Sequence, residues 1–373
     1  MKKNKLIFLL VFFISIQTYS QVFTDKVVGE KNEVLKDSLK TTEYPYHLPI
    51  WGEKVAQKGY KLPYSAGVSV NYFWAEQDIV IDNLYVGFNN GPMYDLDEII
   101  RFNNSVSEAT SFSIRPDIWL LPFLNVYGVF AKIDSSTAID AGLWVPDENN
   151  NWSQVLTFGS TAKFNGTTFG FGMTPTIGVG GGWLALDMNV AWTDLDALED
   201  PAFSFVFGPR IGKTIKLKKP DSNINLWTGA FRLDLKSETV GSLALTDVVS
   251  GSDAQAKVDA GFAKVAEKQT SVDNWWNGLT PMEQANPINQ AKYNTANSAL
   301  DKASGFLTAV DGALSTAGSS TVQYSLDKAP KDMWNFLIGA QYQYNKHFMW
   351  RAEVGFLGSR THFMTSLQYR FGL

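Results

Sequence analysis

The chain has 373 residues, contains no cysteine, and carries 32 basic against 37 acidic residues, a formal net charge of −5. The lack of cysteine excludes disulfide bonds, thiol catalysis and thiolate metal sites, and the acidic balance argues against a nucleic-acid partner. Thirty glycines, 14% aromatic residues and a mean hydropathy of −0.11 are typical of strands in which apolar and polar residues alternate.

The first 20 residues are predicted to be a signal peptide. Residues 1–5 form a positively charged start, residues 6–16 an apolar core, and residues 18–20 include small side chains before the expected cleavage site. No later segment approaches the roughly 20 consecutive apolar residues that a membrane-spanning helix requires. A secreted membrane protein of this kind is expected to be a closed β-barrel, because unpaired backbone groups are costly in lipid.

Residues 21–63 are polar and charged, with Pro45, Pro49 and Pro63 spaced through them. Two interpretations are open: a periplasmic lead-in, or a segment folded into the barrel lumen as a plug. The lead-in is favoured, because proline-rich polar termini are usually loosely held.

From Tyr64 onward, apolar residues recur at every second position in short runs. The alternation slips within residues 79–88, which predicts a β-bulge there. Eleven such strands can be counted between residues 64 and 373. Because bacterial single-chain barrels use an even number of strands, we expect a hidden strand within residues 134–164 and a total of about twelve, with ten or fourteen as alternatives. The predicted fold class is therefore all-β, a transmembrane antiparallel up-and-down barrel.

Residues 236–333 lose the period of two and instead show two heptad patterns, which predict an inserted α-helical hairpin over about residues 240–328. Thr280 and Glu283 have the spacing of a capping box at the start of the second helix. Because the neighbouring strands are joined by short turns, which belong on the periplasmic side, the hairpin is expected to be extracellular. Its role is open between a lid, a docking surface and self-packing, and the last is favoured for the residues of the heptad seam. These seam residues are Val258, Phe262, Val265, Trp276, Leu300, Leu307 and Leu314.

Charged residues recur at strand positions predicted to face the lumen. Charges inside a barrel either select solutes or brace the interior through ion pairs. A braced interior is favoured over a solute-lining role, because both signs are present and buried charges need partners. The predicted lumen-lining residues are Arg115, Asp117, Asp187, Arg210, Arg232, Asp234, Arg351, Glu353 and Arg370.

No residue pattern indicates catalysis, a cofactor or a metal. Ser366 and His362 share one face of the last strand, but four residues of strand separate them by about 13 Å, too far for a base to activate a nucleophile. The three histidines have no second ligand at metal spacing, and the acidic loop at residues 194–200 lacks the calcium-loop pattern. We therefore expect no enzymatic activity.

The final strand, residues 367–373, resembles the C-terminal strand of Gram-negative outer-membrane β-barrel proteins, and residues 119–128 and 335–373 are similar to segments of uncharacterised barrels of that class. The resemblance implies a location in the cell outer membrane, with membrane lipid and the barrel-assembly machinery as partners. Two functional hypotheses remain: a passive or facilitated pore for small solutes, or a non-conducting barrel whose hairpin serves adhesion, docking or envelope structure, with an extracellular ligand as a further partner.

Overall fold

A computed structural model describes residues 29–196, 198, 200–248, 253–316 and 318–373, so the predicted signal peptide lies outside the described residues. The strands are Ala66–Phe88 (β1), Tyr94–Asp95 (β2), Ile100–Leu121 (β3), Leu124–Pro146 (β4), Trp152–Val179 (β5), Gly182–Leu195 (β6), Ala202–Lys216 (β7), Asn223–Ala244 (β8), Thr321–Pro330 (β9), Trp334–Gln343 (β10), Phe348–Phe356 (β11) and Arg360–Phe371 (β12).

The helices are Glu30–Thr41 (α1), Gly52–Ala56 (α2), Leu245–Val248 (α3), Ala254–Gly278 (α4), Pro281–Gln284 (α5) and Pro287–Leu314 (α6). Among the described residues, no helix combines the length and the apolar character needed to cross a membrane.

Ten antiparallel strands close into a barrel in the order β1, β3, β4, β5, β6, β7, β8, β10, β11 and β12, and β12 returns to β1 through pairs such as Ala66 with Phe371. The barrel prediction is confirmed, and the count is the lowest of the three expected. Residues 134–164 hold no additional strand; they are the outer halves of β4 and β5, which pair with each other as far as Pro146 and Trp152. The alternation of apolar and polar residues is weak in this region, and the strand count predicted from the sequence was therefore too high.

The barrel has two unlike ends. Short turns at residues 122–123, 180–181, 217–222 and 344–347 define what we call the short-turn end, where the C-terminus also lies. The opposite, long-loop end carries the extended hairpins and the helical insertion. In outer-membrane barrels the short turns are periplasmic.

An apolar band surrounds the ten strands. Above Trp74 in β1 and Phe130 in β4, the residues on the same outer face become Glu76 and Lys132, so the band ends there. An apolar exterior with aromatic edges is the lipid-facing surface of a transmembrane barrel. Exposed members of the band include Val70, Phe112, Ile114, Phe130, Phe169, Phe171, Ile211, Ile338, Trp350 and Leu367.

Beyond the band, six strands continue away from the membrane as what we call the outer sheet. Strand β9 occupies the place that β10, β11 and β12 leave: it pairs with β8 up to Ala244 and Thr321, and with β1 from Ile79 to Phe88. The order is β8, β9, β1, β3, β4, β5. The register of β1 shifts between Asp82 and Tyr85, so the predicted bulge is present.

The helical hairpin packs inside the concave face of the outer sheet. Val258, Leu300 and Leu307 are almost fully buried together with Leu143 and Val145 of β4. The predicted hairpin is therefore present, but its apolar stripe also packs against strands, which helical periodicity alone does not reveal. The capping box of Thr280 and Glu283 forms.

The capped helix is shorter than predicted. It is α5, which ends after four residues, and the long α6 starts anew behind Asn286, whose side chain accepts a hydrogen bond from the Ile288 amide at 2.9 Å. Of the remaining seam residues, Val265 is buried, Phe262 and Leu314 pack against the same core, and Trp276 stacks on Tyr293 with ring centroids 4.3 Å apart.

Candidate functional site

A buried carboxylate lies at the centre of the lumen. Glu353 of β11 accepts hydrogen bonds from Arg210 Nε at 2.8 Å, Arg210 Nη2 at 2.9 Å and Trp227 Nε1 at 2.8 Å. Arg210 comes from β7 and Trp227 from β8, which are three and two places from β11 in the barrel order, so the contacts join strands that are not neighbours. Glu353 is 2% exposed. A bidentate, charge-assisted pair of this kind is the strongest arrangement that a buried carboxylate can make.

A second carboxylate extends this network. Asp187 of β6 accepts hydrogen bonds from Tyr127 Oη at 2.8 Å and Thr174 Oγ1 at 2.7 Å, and its oxygens lie 3.7 Å from nitrogens of both Arg115 and Arg210. The Arg115 guanidinium lies over the Tyr127 ring, 3.3 Å from its centroid. Arg210 therefore joins two carboxylates, and the network connects β3, β4, β5, β6, β7, β8 and β11.

Asp117 forms a third cluster near the short-turn end. It pairs with Arg370 at 2.9 Å and accepts hydrogen bonds from Gln368 at 2.6 Å and Asn125 at 2.7 Å. Arg351, which also faces the lumen, lies over the Trp227 ring at 5.0 Å. Seven of the nine predicted lumen residues thus converge in the interior.

Arg232 and Asp234 do not face the interior, so the prediction that they line the lumen was wrong. Arg232 is paired across the sheet with Trp334 and with Phe207 on the outer face, and it forms an ion pair with Asp234 at 3.0 Å outside the barrel. The inward positions of β8 belong to Trp227 and Phe231. Because this strand carries apolar residues on both faces, its alternation does not distinguish inside from outside.

Arg360 of β12 was missed. It is 3% exposed, lies over the Phe231 ring at 5.3 Å, and its two terminal nitrogens have no hydrogen-bond partner among the described residues. Arg360 is the first residue of the last strand, where the sequence pattern indicates a turn, and it was therefore not assigned to the lumen. The inward-facing charges of the described barrel are consequently unequal. They are five arginines, Arg115, Arg210, Arg351, Arg360 and Arg370, and three carboxylates, Asp117, Asp187 and Glu353.

Glycines let large side chains fill the narrow barrel. A Cβ at Gly339 would collide with the Trp227 ring, and one at Gly355 would collide with the His362 ring. What remains is a cavity of about 180 Å³ on the short-turn side of the network, lined by Arg115, Asp117 and Arg351 among others. Bulky rings against glycine and a continuous polar network therefore occupy much of the lumen.

The N-terminal segment lies across the short-turn end. The amide of His47 donates to the Leu373 carbonyl at 3.0 Å, and that of Ile50 donates to the Leu120 carbonyl at 3.0 Å. Asn32 of α1 reaches the Leu217 carbonyl at 3.3 Å. Only Pro63, where the segment enters β1, lines the lumen cavity. Residues 29–63 therefore contact the barrel at its short-turn end, and we call this segment the cover.

A second cavity, of about 220 Å³, lies at the long-loop end between the outer sheet and the hairpin; we call it the outer cavity. Its lining is almost wholly apolar. Strands contribute Leu84, Ile139 and Phe158, and helix α6 contributes Phe306 and Val310. Neither the alternation of the strands nor the helical seams revealed it, because it exists only where the two surfaces fail to fill the space between them.

Two polar side chains of β9 reach into this apolar lining. Lys328 donates from Nζ to Thr137 Oγ1 at 2.8 Å. Burial without a carboxylate lowers the pKa of Lys328 to about 8. The Tyr324 hydroxyl is buried and has no hydrogen-bond partner among the described residues. Both residues lie beyond the apolar band, outside the membrane-spanning part of the barrel.

No group of three or more histidine or acidic side chains suited to a metal ion occurs in the part of the chain that the structure describes.

Neither a family model nor a curated protein matches the sequence. Solved structures do. The translocator domain of the autotransporter NalP from Neisseria meningitidis matches with a TM-score of 0.31 at 8% identity, over 91% of this chain and 99% of that one. The transport unit of the autotransporter AIDA-I from Escherichia coli matches with a TM-score of 0.31 at 8% identity, over 93% and 100%.

An outer membrane channel from Pseudomonas putida F1 matches with a TM-score of 0.26 at 10% identity, over 83% of this chain and 96% of that chain. Similarity at this level leaves function to be argued from the chain's own geometry.

Proposed function

We propose that this protein is an integral outer-membrane β-barrel whose lumen is closed and whose working part is the long-loop half, where the outer cavity binds a small apolar molecule. The apolar band and the short-turn end support the location and orientation. Membrane lipid and the barrel-assembly machinery, which would read the C-terminal strand, are the partners this implies. We propose no enzymatic role.

One observation supports the closed lumen: inside the barrel, the contacts at 2.8 to 2.9 Å among Arg210, Glu353 and Trp227 join β7 and β8 to β11, which is a neighbour of neither. Ions would have to pass groups that already satisfy one another, and opening the network would leave charges unpaired in a low-dielectric interior. The cover formed by residues 29–63 adds a second obstruction at the short-turn end.

Single-channel recording in planar bilayers tests this. We expect no steady conductance from the mature protein. We expect the same from a variant in which an Asn-Gly turn replaces residues 245–320, because Ala244 and Thr321 are directly paired and a two-residue turn can join them. This variant keeps β9, which a deletion of residues 240–328 would remove. Steady conductance in the mature protein would contradict the closed lumen.

Binding of 1-decanol to protein in phosphatidylcholine nanodiscs tests the working part, with empty nanodiscs as the blank. The mature protein should bind, and the variant lacking residues 245–320 should not, because that variant has lost the helical wall that Val258, Phe306 and Val310 provide. Equal heats from both proteins would remove the outer cavity as the binding site.

Passage of a small solute through the lumen is the second candidate, and the 180 Å³ cavity with its excess of arginines favours it. On this alternative the network is a gate. The double variant Arg210→Ala with Glu353→Ala should then conduct. It should prefer anions, since four inward-facing arginines, Arg360 among them, would remain against Asp117 and Asp187.

A further inference from the structure

We propose that the natural ligand of the outer cavity is a single-chain amphiphile with a small anionic head, held by Lys328, and with an alkyl tail packed between the outer sheet and α6. This inference rests on the proposed function and specifies its ligand class. It is carried by the charge, shape and position of the side chains that line the cavity.

The charge of the lining is one-sided. Among the described lining residues there are two lysines, Lys257 and Lys328, and no Asp or Glu. Lys257 is exposed and forms an ion pair with Asp253 at 2.9 Å, so its ammonium already has a counterion. Lys328 has only the neutral hydroxyl of Thr137 as its hydrogen-bond partner among the described residues. Lys328 is partly buried. A desolvated ammonium without a counterion is costly, and an anion brought by the ligand would remove that cost.

The remaining lining fits a chain. An apolar cavity of about 150 Å³ stays dry and holds a benzene-sized molecule, so about 220 Å³ accommodates a longer tail. Lys328 and Thr137 lie at the membrane-proximal end of the cavity, level with Ile81, whereas Val322 and Phe88 lie farther out. The head is therefore placed towards the barrel and the tail towards the hairpin.

Tyr324 supplies a second polar contact on the same face of β9. Four residues of strand place it about 13 Å from Lys328 along the backbone, and its hydroxyl has no hydrogen-bond partner in the described part of the chain. It therefore lies along the tail and not at the head. A ligand carrying a hydroxyl or a carbonyl on its chain would satisfy it, which a plain alkyl chain would not.

Isothermal titration of protein in phosphatidylcholine nanodiscs provides the test. The ligands are decanoate, decyl phosphate, 1-decanol and decylammonium, which share a tail and differ in the head. We expect decanoate or decyl phosphate to bind more tightly than decanol, and decylammonium to bind least. The tighter of the two anions then identifies the head group that the site prefers.

Lys328→Met is the decisive variant, because methionine keeps an unbranched chain and removes the ammonium. Loss of a charge-assisted contact worth about 1.5–3 kcal/mol should weaken binding of the preferred anion by roughly 10- to 150-fold, while decanol binding is unchanged. Lys331→Met removes an exposed lysine that lies outside the cavity lining and pairs with Asp78 at 3.8 Å. It is the matched control and should leave both affinities unchanged.

Three results would overturn the proposal while leaving apolar binding intact: equal affinity of wild type and Lys328→Met for both anions, equal binding of decylammonium and decanoate, or decanol binding alone. If no ligand binds, decanol included, then the proposed function fails as well.

Discussion

Lys328 is a charged side chain in surroundings that disfavour its charge. Burial lowers its pKa from 10.5 to about 8, so the folded protein binds this proton less well than the unfolded chain does. Stability therefore rises with pH between about 8 and 10.5, and the full cost is present below pH 8. The other titratable groups of the cavity are Lys257 at the rim and Tyr324, whose pKa burial raises. A residue that weakens its own fold is typical of a functional position.

We therefore expect Lys328→Met to raise the thermal stability of the protein at pH 7, because it removes an uncompensated ammonium from an apolar lining. The gain over wild type should shrink as the pH rises from 8 to 10.5. Melting followed by circular dichroism in nanodiscs at several pH values measures both effects. Lys257→Met, whose charge is exposed, should show neither. A loss of stability in Lys328→Met at pH 7 would contradict the assignment of strain to this ammonium.

The sequence predicts the hairpin of α4 and α6 as a single element, but in the structure its apolar residues form two packing surfaces. One side of its apolar stripe closes the two helices on each other, and the other packs on β4, where Leu143 and Val145 are fully buried. Leu307 is fully buried in this core and lies against Gly261 of α4. The outer sheet and the hairpin should therefore open as a unit, separately from the membrane barrel, in the manner of a cooperative substructure.

Leu307→Ala should destabilise this unit by about 2–5 kcal/mol, the usual cost of a cavity left by a buried leucine. Amide hydrogen exchange should accelerate in α4, in α6 and in the outer halves of β4 and β5, and stay slow in the apolar band. Ile288→Ala, on the exposed side of the same helix at 67% exposure, is the control and should change little. Acceleration confined to α6 would show that the hairpin does not form one unit with the sheet.

Across the whole molecule, the network of charged residues in the lumen is a property of the barrel and not of any one strand. Glu353 accepts hydrogen bonds from Arg210 of β7 and from Trp227 of β8. Arg210 also forms an ion pair with Asp187. Removing one member leaves a charge buried without a partner. Such an interior is expected to stabilise the barrel against opening. It is also expected to tolerate single substitutions poorly, because each one leaves a buried partner unpaired.

Glu353→Ala should cost about 3–5 kcal/mol of barrel stability, as the loss of one partner of a buried pair does. Urea unfolding in lipid vesicles, followed by tryptophan fluorescence, measures it. Asp234→Ala breaks an ion pair of the same type on the outer face, where both partners are partly exposed, and should cost no more than about 1 kcal/mol. Equal losses in the two variants would mean that the lumen network does not brace the barrel.

The sequence by itself determined the barrel, its orientation of short turns and the helical insertion. In strands with a period of two, such as β11 and β12, the alternation of residues alone indicates which side chains face the lumen. In β11, for example, Trp350 faces outward and Glu353 faces inward. Helical heptads and the Thr280 capping box are equally local. Where both faces of a strand are apolar, as in β8, the local pattern is silent, and Arg232 and Asp234 were assigned to the wrong side.

Only the tertiary structure decided the count of strands, the network of charged residues in the lumen and the existence of the outer cavity. Whether residues 134–164 form one more strand or lengthen two depends on pairing partners far along the chain. The Arg210–Glu353 pair joins positions 143 residues apart. The outer cavity is a space between the sheet and the hairpin, and the charge of Lys328 matters because that space contains no carboxylate among its described residues. Such properties arise from packing between elements, which no single segment encodes.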